Sequence, residues 1–441
     1  MKPALARGAY TLLMRMALPL VFSRLAWRAR REPAYAAHWG ERLGYAGAAA
    51  QPGCLWLHAV SLGETRAAAA LINELRARQP GLRVLLTHGT ATGRAAGAEL
   101  LRAGDVQAWL PLDTPGAVRR FLRAHRPAVG VVMETEVWPN LLFEAQAAGV
   151  PLVLANARLS PRSQAKGDRL AALMHPALAC FTAVLAQTEA DAMRLRASGA
   201  RAGAVQVMGN LKFDMAMPPD LLAQGLAWRQ ALGRPVVLMS SSREGEEAPL
   251  LRAWAALPLP RPLLLLVPRH PQRFDAVAAL VAAAGLTLAR RKAWAATPPP
   301  ETAVADVWLG DSLGEMPLYY AMADVALLGG SFEPLGGQNL IEAAACGCPL
   351  LMGPHTFNFA QAAELSLAEG AAERLPDISA AVSRAVVLCA SLQRSAMAER
   401  ARAFADRHRG AAVRMAAAVL NGLAAPRPKR PTPGGAGSVS A

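Results

Sequence analysis

The 441-residue chain is long enough for two hydrophobic cores, since a single core stops growing at about 250 to 300 residues. Hydrophobic residues make up 53% of it, yet no apolar run matches a bundle of membrane-spanning helices, and a formal net charge of +15 points to an anionic partner. The five cysteines include no pair with zinc or redox spacing, Cys346 and Cys348 being the closest, so they read as packed thiols of a cytoplasmic protein.

The first element is apolar from Ala4 to Leu25 but punctuated by Arg7, Arg15 and Arg24, and it runs into Trp27-Arg28-Ala29-Arg30-Arg31. Arginines inside the apolar stretch, with no small-residue cleavage site, argue against a cleavable signal. The expected element over residues 1–35 is a basic, apolar helix lying in, or just entering, the cytoplasmic face of a membrane. An amphipathic helix packed on the following domain is the plainer alternative.

Apolar strand-like runs then alternate with alanine-rich helical ones, the pattern of a parallel sheet covered by helices. In the first half they begin at Cys54, Arg83, Gln107, Val129, Leu152, Ala183 and Val205; after a break at Lys212-Phe213-Asp214 they resume at Pro235, Pro262, Leu286, Asp306, Asp324 and Pro349. The fold class is α/β, with two Rossmann-like domains over residues 36–218 and 219–425, the second ending in one or two closing helices from about Ser391. Residues 426–441 are rich in Pro, Gly and Ser and are expected to be disordered. Two such domains would set the carboxyl ends of both sheets around one cleft.

Chemistry-bearing residues cluster at the expected strand ends. In His58-Ala59-Val60-Ser61-Leu62-Gly63-Glu64 the Ser61-x-x-Glu64 spacing fits a helix capping box, and the same carboxylate, at the mouth of a strand-to-helix turn, is a candidate base. Glu134 and Glu136 follow the fourth run; Asn156, Arg158, Ser160 and Arg162 follow the fifth; Asn210 and Lys212 follow the seventh. Cations facing carboxylates make a bed for an anionic sugar, though solvated loop polarity is the bland alternative. The second half offers Ser241 in Ser240-Ser241-Ser242-Arg243, Arg269 and His270, the Leu313-Gly314-Glu315-Met316 turn, and Gly337, Asn339 and Glu342. Four polar, glycine-bearing strand ends in succession suit a nucleotide, with Glu342 for ribose and a guanidinium for phosphate. Neither half opens with a G-x-G-x-x-G turn, and neither a histidine tetrad nor a D-x-D pair supplies a metal site.

Taken in order from Trp39 to Phe359, these segments together resemble the 3-deoxy-D-manno-octulosonic acid (Kdo) transferases of lipopolysaccharide synthesis, with Gly329–Phe359 the most distinctive of them. The resemblance implies a GT-B architecture and an inverting, metal-independent glycosyltransferase without cofactor. It would transfer Kdo from CMP-Kdo to a lipid A precursor at the cytoplasmic side of the inner membrane. It puts the catalytic base on Glu64. Ser61, Gly63, Glu134, Asn156, Arg158, Ser160 and Lys212 then contact Kdo or acceptor, and Ser241, Arg269, His270, Gly314, Glu315, Met316, Gly337, Asn339 and Glu342 hold the donor nucleotide. The chain departs from the family pattern at Arg243 and Gln338, where histidines are expected. A GT-B-like sugar-nucleotide epimerase would share the nucleotide half without needing an anchor. A nucleic-acid-binding role explains the charge but not the ordered loops, so nucleic acid is not an expected partner.

Overall fold

A computed structural model describes residues 2–214, 217–295 and 297–424. The expected tail at residues 426–441 lies outside them. The described residues form two compact units, one made of residues 2–214 with 409–424 and the other of residues 217–295 with 297–408.

The first unit holds strands β1 (Leu55–His58), β2 (Val84–His88), β3 (Val106–Trp109), β4 (Val129–Met133), β5 (Leu152–Ala157), β6 (Ala183–Ala186) and β7 (Val205–Val207). They form one parallel sheet in the order β3-β2-β1-β4-β5-β6-β7. Every residue of β1, β2, β4 and β5 is buried, as sheets covered on both faces require, and this is why these runs read as apolar up to the polar residues at the carboxyl ends of β1, β2 and β5. The helix Leu62–Arg78 covers one face with Ala67, Ala68, Leu71, Ile72 and Leu75. Trp56, Phe121, Leu141 and Phe181 belong to the core on the other face.

The second unit holds β8 (Val236–Ser242), β9 (Leu263–Pro268), β10 (Leu288–Arg290), β11 (Val307–Leu309), β12 (Val325–Leu328), β13 (Leu350–Met352) and β14 (Ala372–Arg374), ordered β10-β11-β9-β8-β12-β13-β14 and again parallel. Buried Asp324 ties its amino-terminal edge, accepting from the Val236 N–H (2.8 Å) and pairing with Arg229 (2.8 Å) and Arg394 (2.7 Å). β14 has no counterpart among the expected strands: Ala372-Glu373-Arg374 is a short edge strand, only its first residue is buried, and an edge needs no apolar run.

The closing helices divide between the units, whereas the sequence places both in the second domain. Gln393–Arg407 stays there, burying Met397, Ala401 and Phe404. The last helix, Ala411–Ala424, returns to the first unit, where Ala412, Met415, Ala416 and Val419 share a core with Leu71 and Leu75. Asp214 fastens this return by accepting from the Gly410 and Ala412 N–H groups at 2.5 and 2.6 Å. The helix Pro3–Ala29 also belongs to the first unit and packs one face on it.

Candidate active site

In the first sheet the chain leaves β1 toward β2 on one side and β4 toward β5 on the other, although β1 and β4 are neighbours. Helices that follow such a pair diverge and leave a crevice at the carboxyl ends, the usual ligand position of doubly wound sheets. Glu64 follows β1 and Glu134 follows β4. The same reversal occurs between β8 and β12 in the second sheet, after which stand Arg243 and Gly329-Gly330.

Backbone strain marks the same strand ends. Five described non-glycine residues have positive φ, and Glu134 (56°), Asn156 (53°) and Ser241 (55°) are three of them. Such conformations cost about 1–3 kcal/mol each and persist only where the surroundings enforce them. Asn156 and Ser241 coincide with register irregularities in the β5–β6 and β8–β9 pairings, so each aims a side chain where regular pairing stops.

Glu64 is the third residue of the helix Leu62–Arg78, with Ser61 as N-cap. Its N–H donates to Ser61 Oγ at 3.4 Å; its carboxylate accepts from the Val60 N–H at 2.8 Å and from Ser61 Oγ at 3.2 Å. The capping box therefore forms, reaching back one residue further than usual, and fixes the carboxylate's direction. Burial pushes the Glu64 carboxyl from 4.5 up to about 7; the negative charges of Glu134 and Glu136 push the same way, against the hydrogen bonds from Val60 and Ser61. A carboxylate titrating near neutrality is suited to accept a proton. Gly63, in the same turn, is exposed, and only Ser61 Oγ at 4.0 Å comes near the place where a side chain would begin.

Around it stands a mixed-charge group. Buried Glu134 accepts from Arg158 Nε at 2.9 Å and lies 3.6 Å from Lys212 Nζ. Glu136 accepts from Trp138 Nε1 at 2.7 Å, and burial raises its carboxyl above the usual range. Two other expected contacts have structural work here. Asn156 is fully buried, and its Oδ1 accepts from the Leu211 N–H at 3.0 Å, holding the turn that carries Lys212. Asn210 braces that turn by accepting from the Lys212 N–H at 3.0 Å. Ser160 is the N-cap of the helix Pro161–Asp168, its hydroxyl accepting from the Ser163 N–H at 3.1 Å, with Arg162 in the first turn.

In the second unit, Arg269 at the end of β9 donates from Nε to Gln338 Oε1 at 3.2 Å, and its N–H meets the Ser242 carbonyl at 3.0 Å. A side chain built on Gly330 would begin 3.2 Å from Gln338 Nε2 and 3.6 Å from Arg243 Cγ. The two departures from the family pattern therefore flank one glycine. Burial holds the His270 imidazole below its ordinary range, helped by the positive charges of Arg243 and Arg269. Gly337 (φ 73°) donates to the Gly330 carbonyl at 2.7 Å, which closes the glycine turn on itself. Asn339 caps the short helix Leu340–Ala345 through the Ile341 N–H (3.1 Å) and donates to Glu342 Oε1 (3.1 Å).

After β11, Gly314 (φ 81°) stands in open space. Glu315 precedes the helix Met316–Met322 and is occupied by Arg291 (2.7 Å), Ser312 Oγ (2.5 Å) and Tyr319 Oη (3.0 Å), so its carboxylate braces the turn. These bonds outweigh burial and hold its carboxyl below the usual range.

Glu246 is not among the residues expected from the sequence. It is buried and accepts from the N–H groups of Arg243 (2.8 Å), Gly330 (2.8 Å) and Phe332 (3.2 Å), pinning the loops after β8 and β12 together. Burial nonetheless raises its carboxyl above the usual range. Its only sequence signal is its place as the second of three glutamates in Arg243-Glu244-Gly245-Glu246-Glu247. Among the described residues no three His, Cys, Asp or Glu side chains gather as a metal-binding group.

A family profile described as 3-deoxy-D-manno-octulosonic-acid transferase (kdotransferase) matches residues 37–215. The chain is 51% identical to the 3-deoxy-D-manno-octulosonic acid transferase of Bordetella pertussis, covering 92% of this chain and 97% of that protein. It is 34% identical to that of Haemophilus influenzae, covering 80% and 83%. Among solved structures, Anabaena HepE in complex with UDP aligns at TM-score 0.57 and 16% identity over 84% of this chain and 99% of that one. UDP-GlcNAc 2-epimerase from Neisseria meningitidis bound to UDP-GlcNAc aligns at 0.56 and 15% over 84% and 100%. At such identity the likeness establishes the fold, the paired Rossmann-like units of GT-B proteins, and does not choose among their activities.

Proposed function

Because the chain belongs to the 3-deoxy-D-manno-octulosonic acid transferase family and is a Kdo transferase of lipopolysaccharide synthesis, we propose that it moves Kdo from CMP-Kdo to a lipid A precursor, lipid IVA, with inversion at the anomeric carbon. Glu64 is the general base, and no metal ion takes part. The observation that carries this reading is the Glu64 carboxylate, oriented by Val60 and Ser61 and raised to about 7 at the crevice between β1 and β4.

In the reaction an acceptor hydroxyl oxygen forms a bond to the anomeric carbon as the bond from that carbon to the cytidylate oxygen breaks. The bonding pair leaves with CMP, and the hydroxyl proton passes to Glu64. Arg158 and Lys212, already paired with Glu134, supply cations for the Kdo carboxylate. Charge growing on the departing phosphate is met by Arg269, with Arg243 and His270 beside it. Asn339 orients Glu342 toward ribose, and the open turn at Gly314 and Met316 frames the base. The site of action is the cytoplasmic side of the inner membrane, supported by the basic N-terminal helix and the net charge of +15.

The test is mass spectrometry of the lipid product formed from CMP-Kdo and lipid IVA by the full chain and by Glu64→Gln, each with and without EDTA. Kdo addition by the unmodified chain in EDTA, and loss of at least about a hundredfold in the variant, are expected. Dependence on added metal, or turnover by Glu64→Gln near that of the unmodified chain, would overturn the mechanism.

A further inference from the structure

The helix Pro3–Ala29 is apolar and long enough to cross a membrane by length and composition. Its two faces carry the reverse of what an ordinary surface helix shows. The face turned to the first unit is hooked by polar groups: Arg7 pairs with Glu144 at 2.7 Å, Thr11 Oγ1 donates to Asn140 Oδ1 at 3.0 Å, and Tyr10 Oη donates to Asp113 at 2.7 Å. Asp113 is buried and also accepts from the Asn140 and Leu141 N–H groups at 3.1 and 2.7 Å. Farther along, Phe22 and Leu25 pack with Trp39, Tyr35 and Trp109.

The outward face carries Leu5, Leu12, Leu13, Met16, Leu20 and Trp27, each 58 to 72% exposed. At about 100° per residue these form a single stripe, and Arg15 and Arg24 fall on its two opposite flanks. That is the cross-section of a helix lying at a lipid surface, apolar in the middle and cationic where headgroups begin. A spanning helix would have to leave its seat, which strips buried Asp113 and Glu144 of Tyr10 and Arg7 and carries Arg7 and Arg15 into hydrocarbon.

We propose that Pro3–Ala29 does not cross the bilayer but lies along the surface of an anionic-lipid membrane, its leucine stripe in the acyl boundary and Arg7, Tyr10 and Thr11 clamping it to the first unit. The benefit of that arrangement rests on the proposed lipid acceptor, whereas the geometry does not. Asn140, which receives Thr11, lies in the first turn of the helix Pro139–Ala147, directly after Trp138 and its partner Glu136. The lipid-facing helix and the Glu134–Glu136 turn are thereby joined within one unit.

The test uses sealed inverted vesicles from bacteria expressing the full chain, with Lys2→Cys or Glu32→Cys labelled by an impermeant maleimide and the unmodified chain giving the background of its native thiols. Both positions should label from the outer, cytoplasm-derived side. Labelling of Lys2→Cys only after the vesicles are opened means a spanning helix and overturns the proposal. In flotation, the purified chain should partition onto phosphatidylcholine vesicles containing phosphatidylglycerol, and Leu12→Glu/Met16→Glu/Leu20→Glu should lose at least about tenfold of that partition with an unchanged circular dichroism spectrum. Retained partition by the triple variant shows that the stripe does not meet lipid and also overturns it. Neither readout uses Kdo transfer, so an in-plane helix without transfer to lipid IVA would fault the functional reading alone.

Discussion

Replacing Glu64 by Gln separates the two roles that one carboxylate holds. The amide keeps an oxygen for the Val60 N–H (2.8 Å to the carboxylate) and a polar partner for Ser61 (3.2 Å), but it cannot take a proton. For turnover, a base titrating at about 7 is roughly nine-tenths protonated at pH 6 and nine-tenths ionised at pH 8, so the chemical step should rise about tenfold across that range. For stability the sign is the reverse of the usual carboxylate case. The folded chain holds the Glu64 proton more tightly than the unfolded one, so this group's contribution is fully present below about 4.5 and is lost as pH rises toward about 7. Ionised Glu64 therefore costs the fold up to about 3 kcal/mol at pH 8, at about 1.4 kcal/mol for each pH unit separating the two values. Glu64→Gln should then unfold at a higher denaturant midpoint than the unmodified chain at pH 8, with the gap closing toward pH 4.5. If the carboxylate were only a cap, the same change would destabilise at pH 8, and single-turnover rates would be flat between pH 6 and 8. Either result refutes the base assignment.

Glu246→Ala should free the Arg243, Gly330 and Phe332 N–H groups, lowering stability by about 1–3 kcal/mol and weakening CMP binding in calorimetry. Gly336 has φ 91°, and a side chain there would begin 2.4 Å from Asn358 Nδ2; Gly336→Ala should cost at least about 1 kcal/mol in thermal melts and raise the KM for CMP-Kdo. Arg269→Ala should lower kcat/KM for the donor by about ten- to a hundredfold, whereas Arg269→Lys, which keeps charge but cannot retain the planar guanidinium's contact with Gln338, should recover part of the loss.

How much was legible in the sequence depends on the range of the forces involved. Buried parallel strands such as Leu263–Pro268 must be apolar throughout, and strand-end turns must carry glycine or polar residues, so the α/β class, the break near Lys212 and the loops bearing Glu64, Arg269 and Asn339 are written in local pattern. Edge strand β14 lacked that pattern because one buried residue suffices to hold it. Sheet order was not legible, since β1 beside β4 and β8 beside β12 arise from pairings between distant segments, and those pairings decide where the crevices open. Glu246 and Asp113 escaped notice because a buried carboxylate owes its role to backbone N–H groups brought to it from elsewhere, here from Gly330 and Leu141. The last helix shows the same limit. Its alanines and methionine suit either core, and it is Asp214 accepting from Gly410 and Ala412, Arg414 donating to the Met208 carbonyl and the packing beside Leu71 that hold it in the first unit. Residue identity alone could say that Glu64 caps a helix; burial near Glu134 and Glu136, a property of the folded chain, raises that carboxyl to about 7.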